Sequence, residues 1–175
     1  MCGICGFIYQ DGNRPVDRST LERMNSVIRH RGPDSDGFYV AKGVGLAMRR
    51  LSLIDLDTGD QPVTNEDASL QLVFNGEIYN YPELRKELRR RGRAFQTASD
   101  TEVILEGYRE WGNEVADRLE GMFAFALYDR LERTLLLARD RFGEKPLLFS
   151  EDGGTVMFAS GMSQLVATDR GKREI

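Results

Sequence analysis

The chain opens Met1-Cys2-Gly3-Ile4-Cys5-Gly6-Phe7-Ile8-Tyr9, and the position of its first cysteine frames everything downstream. Removing Met1 would put a thiol and a free α-amine on one residue. In model peptides a thiol titrates at about 8.5 and an α-amine at about 7.7 to 8.0, a close match for passing a proton at neutral pH. A nucleophile that carries its own base needs no second residue to activate it. The Cys2-x-x-Cys5 spacing also suits redox or zinc chemistry, but no second ligand pair exists and no βαβ pattern follows. Ile4 to Tyr9 reads as a short buried strand that runs into a polar turn at Asp11-Gly12-Asn13.

The composition around this opening is that of one folded domain. With 175 residues, 41% hydrophobic and 30% charged, the chain is long enough to bury a sizeable core. A net charge of -4 argues against nucleic acid or an anionic membrane as a partner. No apolar run reaches the roughly 20 residues that span a bilayer. The N-terminus lacks the basic flank and long apolar stretch of a signal peptide, so the expected compartment is the cytoplasm, where thiols stay reduced. Two cysteines and a single histidine, His30, leave little for a metal site or a Ser/His/Asp relay.

Further along, Leu21, Met24, Val27 and Ile28 share one face of a helix entered at Asp17 or Ser19 and closed by Arg31-Gly32-Pro33. Phe38 to Leu56 suggests a hairpin, and Leu70 to Phe74 a strand ending in a turn at Asn75-Gly76. Pro82 to Arg91 and Thr101 to Leu119 read as helices. Four strands follow, at Met122 to Tyr128, Thr134 to Ala138, Pro146 to Ser150 and Thr155 to Ala159. Strands and helices that segregate in this way predict an α+β domain with largely antiparallel sheets, two of them stacked and covered by helices on their outer faces.

Several segments are poorly explained as scaffold. Arg50 is read at the start of an apolar strand, where its fork can reach a carboxylate bidentately or form a surface ion pair. An asparagine amide and the adjoining glycine N–H, as at Asn75-Gly76, can converge on a developing oxyanion, or the pair can be a plain turn. Ser99 or Asp100 caps the helix that follows, leaving the other free to face a ligand. The Arg-rich run from Arg85 to Arg93 reads as a solvated helix face around Leu84 and Leu88.

Six segments in order carry a resemblance that spans nearly the whole chain. They are Met1-Cys2-Gly3-Ile4-Cys5-Gly6, Arg31-Gly32-Pro33-Asp34, Arg50-Leu51-Ser52, Asn75-Gly76-Glu77-Ile78-Tyr79-Asn80, Ser99-Asp100-Thr101-Glu102 and Asp140-Arg141-Phe142-Gly143-Glu144-Lys145-Pro146-Leu147. Together they resemble the glutaminase domain of class II glutamine amidotransferases, and within that family the asparagine synthetase branch. The resemblance implies an N-terminal nucleophile hydrolase fold, a four-layer αββα sandwich, over residues 1–175 as one domain without the synthetase domain. It implies that Cys2 attacks the carboxamide of L-glutamine, that Asn75 and Gly76 hold the oxyanion, and that Arg50 clamps the α-carboxylate. Asp100, with Glu77 near it, would hold the ammonium, and Leu51, Ser52, Leu53 and Ile54 would line the pocket. No cofactor is expected in the domain. The ammonia would pass to an ATP-dependent synthetase domain or subunit, for asparagine-type amidation or for another carboxylate. A catalytically silent interaction module of the same fold is the alternative. Ser160-Gly161-Met162-Ser163 and Met48 depart from the family, which usually carries a charged segment and a histidine at those places.

Overall fold

The computed structural model describes residues 2–51 and 60–168. Among the described residues, nine strands form two antiparallel sheets. The first sheet contains β1 (Gly3–Tyr9), β2 (Ser35–Ala41), β3 (Val44–Arg50), β8 (Leu148–Asp152) and β9 (Thr155–Ala159), in the order β2-β3-β1-β9-β8. The second contains β4 (Val63–Thr64), β5 (Leu70–Ile78), β6 (Gly121–Asp129) and β7 (Thr134–Arg139), in that order. The helices are α1 (Arg18–Ser26), α2 (Tyr81–Arg90), α3 (Asp100–Trp111), α4 (Val115–Arg118) and α5 (Met162–Val166).

Period-two burial sorts the strand side chains into three apolar layers. Between the sheets lie Ile4, Val44, Leu46, Met48, Val73, Ala124, Ala126, Tyr128 and Phe158. Outside the first sheet, Cys5, Phe7, Ala47, Met157 and Ala159 meet Leu21 and Met24 of α1 and Leu165 of α5. Outside the second, Leu72, Phe74, Phe123, Phe125 and Leu127 meet Leu84 and Leu88 of α2 and Val103 and Ile104 of α3. Helix, sheet, sheet, helix is the αββα order expected from the sequence. Each fully buried large apolar side chain, such as Phe7, Phe125 or Phe158, contributes about 1.5–3 kcal/mol.

Three local expectations change. Asn75-Gly76 lies inside β5 and not in a turn, because β5 runs unbroken to Ile78 against β6. Gly76 is needed for close approach: a Cβ there would lie 2.2 Å from Met122 O and 2.6 Å from Phe123 Cα. The long helix expected from Thr101 to Leu119 breaks at Gly112, whose φ of 59° suits glycine, and continues as a 3₁₀ turn and the short α4. Arg50 ends a strand and does not begin one. The expected hairpin is β2 and β3, and the rest of its span falls in 52–59, outside the described residues.

The Asp140 segment shows how an irregular loop is held. The Asp140 carboxylate accepts the N–H groups of Phe123 (3.2 Å), Phe142 (3.1 Å), Glu144 (2.9 Å) and Lys145 (3.0 Å). Burial pushes this carboxyl up, but the N–H donors outweigh it and hold the group below its ordinary 3.8. Its contribution to stability is therefore present above the ordinary aspartate range and is lost as pH falls through the lowered value. Asp140→Asn should cost on the order of 3 kcal/mol in a urea melt at pH 7, and less at pH 3. A pH-independent difference would show that the charge is not what gathers these donors.

Candidate active site

Cys2 sits immediately before β1, the middle strand of its sheet, and packs into the layer between the sheets. The register that places Cys2 there turns Cys5 to the opposite face, among α1 and α5. Burial pushes the Cys5 thiol up to about 12. Two thiols on opposite faces of one strand rule out the Cys-x-x-Cys redox or zinc site that their spacing allowed. Cys2 Sγ accepts the Leu51 N–H at 3.4 Å and lies 3.8 Å from Leu51 O.

Several motifs converge on this end of the first sheet. Ser160, just beyond β9, accepts the Ile4 N–H through Oγ at 2.9 Å and donates its own N–H to Ile4 O at 2.9 Å. Arg31 Nη1 donates to Ser160 O at 3.4 Å. Gly32 lies so close to the end of β3 that a Cβ would be 2.5 Å from Arg49 C and 2.6 Å from Arg50 N. Asp34 N–H donates to Arg50 O at 3.2 Å. The Arg31-Gly32-Pro33-Asp34 segment thus braces the strand that ends in Arg50. Arg50 is 7% exposed, and its Nη1 lies 3.5 Å from the exposed carboxylate of Asp60.

Across the cleft, β5 presents its odd and even residues differently. Val73 and Asn75 face the first sheet, whereas Phe74 and Ile78 face α2 and α3. Asn75 is 3% exposed, and its Nδ2 donates to nothing among the described residues. An orphaned buried amide costs about 1–3 kcal/mol, so it calls for an explanation.

The backbone of β5 supplies a second unfilled donor. Odd N–H groups point toward β6, as Tyr79 N–H to Glu120 O at 2.7 Å illustrates. Even ones point the other way, where β4 pairs only as far as Leu72. On that side Leu70 N–H reaches Asn65 Oδ1 (2.9 Å), Phe74 N–H reaches Gln61 Oε1 (2.6 Å) and Ile78 N–H reaches Asp100 Oδ2 (2.9 Å). Gly76 N–H, between the last two, has no acceptor among the described residues.

Ser99 proves to be the cap of α3, with its Oγ accepting Thr101 N–H at 3.2 Å, and Asp100 is the residue left to face the cleft. Burial pushes the Asp100 carboxyl above its ordinary 3.8, the Ile78 N–H and Thr101 pull it partly back, and Glu77 nearby raises it further. Glu77 is exposed on the Asn75 side of β5. Leu51 touches Cys2 through its backbone, while Ser52, Leu53 and Ile54 lie outside the described residues. Cys2, Leu51 and Arg50 thus lie together at one end of the first sheet, and Asn75, Gly76, Glu77 and Asp100 at the Ile78 end of β5 in the second. Sequence reasoning missed Gln61 and Asp60, for which a Gln-Pro dipeptide beside a loop gives no hint of a contact to β5.

A groove of about 430 Å³ lies elsewhere, along Arg85, Lys86, Arg89 and Arg90 on the outer side of α2. It is the solvated basic face expected there, around buried Leu84 and Leu88. A smaller cavity of about 90 Å³ adjoins the Asp100 end of the cleft, between Gln61 and Ser99. No helix of the described residues is long and apolar enough to cross a membrane.

The raised Asp100 carboxyl gives a stability signature. A group raised on folding stabilises below its ordinary pKa, and that contribution is lost as pH rises through the raised value. At pH 7 the half-buried anion is a net cost, met only in part by the Ile78 N–H and by Thr101, whose hydroxyl lies at 3.4 Å. Asp100→Asn, which keeps an acceptor for Ile78 N–H, should melt at the same or a higher temperature at pH 7, with the gap closing toward pH 3. A clear drop in Tm at pH 7 would show that the charge stabilises the empty site.

Residues 1–175 match the family model described as a glutamine amidotransferase domain. Among similar proteins, glutamine-hydrolyzing asparagine synthetase 1 of Bacillus subtilis (strain 168) is 44% identical over 168 residues, covering 93% of this chain and 27% of that protein. Glutamine-hydrolyzing asparagine synthetase 2 of Oryza sativa subsp. japonica is 42% identical over 166 residues, covering 94% of this chain and 28% of that protein. The chain thus spans little more than a quarter of the length of these relatives. A solved structure of glutamine phosphoribosylpyrophosphate amidotransferase from B. subtilis superposes with a TM-score of 0.72 at 21% identity, over 95% of this chain and 43% of that one, a likeness of fold. With the whole chain matched by the family model and these identities, the chain belongs to the glutamine amidotransferase domain family.

Proposed function

We propose that this domain is a glutaminase that hydrolyses L-glutamine to glutamate and ammonia through a thioester on Cys2. The observation that carries the reading is the pair of unfilled donors, Asn75 Nδ2 and Gly76 N–H, on the strand facing the Cys2 layer. Unlike the unmatched groups of Asn25 and Trp111, these two donors are adjacent on one strand, and two adjacent empty donors suit an oxyanion that forms only during reaction.

With Met1 removed, the Cys2 α-amine takes the thiol proton as Sγ attacks the glutamine Cδ. The carbonyl oxygen becomes an oxyanion between Asn75 Nδ2 and Gly76 N–H, each donor worth about 3 kcal/mol of barrier. Collapse returns the proton to the departing nitrogen, so ammonia leaves and a γ-glutamyl thioester remains. Water then attacks the thioester, releases glutamate and restores the thiol. Arg50 at the end of β3 suits the α-carboxylate. Asp100, an anion held at a cost in the empty site, suits the α-ammonium, with Glu77 adding to the local negative field. Leu51 to Ile54 supply the wall beside the thiol. The chemistry uses only protein groups and water, so we assign no cofactor to the domain.

The relatives named above are glutamine-hydrolyzing asparagine synthetases. By that kinship we assign the ammonia to an ATP-dependent synthetase domain or subunit performing asparagine-type amidation. We place the reaction in the cytoplasm, where Cys2 stays a thiol.

The test is intact mass before and after 6-diazo-5-oxo-norleucine. Loss of Met1 and a single adduct, absent in Cys2→Ala, is the expected result. Asn75→Ala should lower kcat for glutamine on the order of 10²- to 10³-fold with KM little changed. N-acetylglutamine and glutaramate, each lacking one charged group, should turn over far more slowly than glutamine. Equal turnover of these controls would defeat the amino-acid clamp, and a processed chain that takes no adduct would favour a silent module.

A further inference from the structure

The even side of β5 carries a row of backbone N–H groups that no neighbouring strand satisfies beyond Leu72. Two side chains stand in for the missing strand on either side of Gly76. Asp100 accepts Ile78 N–H on one side, and Gln61 Oε1 accepts Phe74 N–H at 2.6 Å on the other. Asp100 already has a place in the amino-acid clamp, whereas Gln61 has none.

Gln61 is itself tightly placed. Its carbonyl oxygen packs against β2 so closely that a Cβ on Gly37 would fall 1.7 Å from it, which only glycine allows. Its neighbour Asp60 lies 3.5 Å from Arg50 Nη1, and its side chain borders the small cavity shared with Ser99 and Thr101 at the start of α3. One residue thus touches the first sheet at β2, the second at β5, and the approaches to both ends of the proposed amino-acid clamp. Phe74 N–H and Gly76 N–H lie two residues apart on the same edge, and Asn75 lies between them. Whatever fixes the Phe74 peptide fixes the direction in which the next two donors point.

We infer that Gln61 is a positioning residue for glutamine hydrolysis, holding the Phe74 peptide so that Asn75 Nδ2 and Gly76 N–H are aimed at the developing oxyanion. The inference rests on the glutaminase reading. Its mechanism is preorganisation: donors that need not turn during reaction lower the barrier without tightening ground-state binding. Loss of the acceptor leaves Phe74 N–H without a partner and lets the donor row relax, and a misplacement of 1 Å in a site of this kind costs about a hundredfold in rate.

The experiment compares the wild-type chain with Gln61→Met, which keeps the length and loses the carbonyl acceptor, and Gln61→Glu, which keeps an acceptor. In Gln61→Met, kcat for glutamine should fall roughly tenfold to a hundredfold while KM stays within about threefold. Alkylation of Cys2 by iodoacetamide, which develops no oxyanion, should proceed at the wild-type rate. Gln61→Glu should recover most of the lost kcat. Independently of any variant, amide hydrogen exchange on the wild-type chain should find Phe74 as protected as Leu72, its neighbour in the β4 ladder. Wild-type kcat in Gln61→Met, a fall in kcat and alkylation together that Glu does not rescue, or a freely exchanging Phe74 amide in the wild type would each overturn the inference. A wild-type chain freed of Met1 that neither hydrolyses glutamine nor takes the 6-diazo-5-oxo-norleucine adduct overturns the glutaminase reading first, and this inference with it.

Discussion

A strand that outlasts its neighbour leaves backbone N–H groups that must find acceptors or remain empty, and β5 outlasts β4 by six residues' worth of register on its Ile78 side. Most sheets resolve such an edge with solvent. Here the edge is bounded by α3 and by the segment entering β4, so acceptors must come from side chains. Asn65, Gln61 and Asp100 supply them at Leu70, Phe74 and Ile78, in a spacing dictated by the two-residue repeat of the strand. The position they skip, Gly76, is also the position where a side chain cannot exist, because β6 passes too close. The empty donor is thus a consequence of how the second sheet ends.

The first sheet answers this with a rigid carrier for the thiol. A central strand is hydrogen-bonded on both sides, and β1 has β3 and β9 as neighbours through nearly its whole length. Ser160 extends that pairing at the Cys2 end, and the Arg31 to Asp34 segment clamps the end of β3 through Gly32. Mobility at a chain terminus is the ordinary expectation. Anchoring the residues next to Cys2 removes most of it and leaves the thiol against the layer between the sheets. The thiol and the two unfilled donors therefore sit on different sheets, and their alignment depends on contacts that cross between the sheets, of which the Gln61 segment is one.

Much of this was legible in the sequence. The buried apolar runs in Gly3–Tyr9 and Gly121–Asp129, the Asp17-capped helix at Arg18–Ser26 and the amphipathic helix at Tyr81–Arg90 follow from local sequence patterns. The layered architecture follows from their segregation along the chain. The six motifs singled out Cys2, Arg50, Asn75, Gly76 and Asp100, of which the fold places Cys2 and Arg50 at one end of the first sheet and Asn75 and Gly76 in β5, with Asp100 bonded to Ile78. What stayed hidden is long-range. Asn-Gly is ordinarily a turn, and only the approach of β6 makes a strand the better place for Gly76. Gly112 reads as a tolerated helix glycine until its left-handed φ is known. Met162–Val166 is too short for a helical period to declare itself, and the two-residue β4 carries no alternation. Gln61 is invisible for the same reason, since its acceptor role is set by a strand that begins nine residues later.

Two aspartates show how environment assigns a role to the same side chain. Asp140 gathers four backbone N–H groups, more donors than its burial can offset, and its carboxyl is held down. A charge so fully matched has nothing left to offer a ligand, and its work is to fold the Arg141 to Lys145 loop. Asp100 is half-buried with only the Ile78 N–H and Thr101 as donors, too few to offset its desolvation, and its carboxyl is pushed up. An anion kept short of partners inside a protein lowers stability unless something else brings a cation. The same holds with opposite sign for Asn75 Nδ2, a donor kept short of an acceptor. These two costs lie along one strand, at Asn75 itself and at Ile78, whose N–H the Asp100 carboxylate accepts. In a fold that satisfies Asp140 so thoroughly, leaving both groups unmatched is intelligible as complementarity to a ligand that carries an ammonium at one end and develops a negative oxygen at the other.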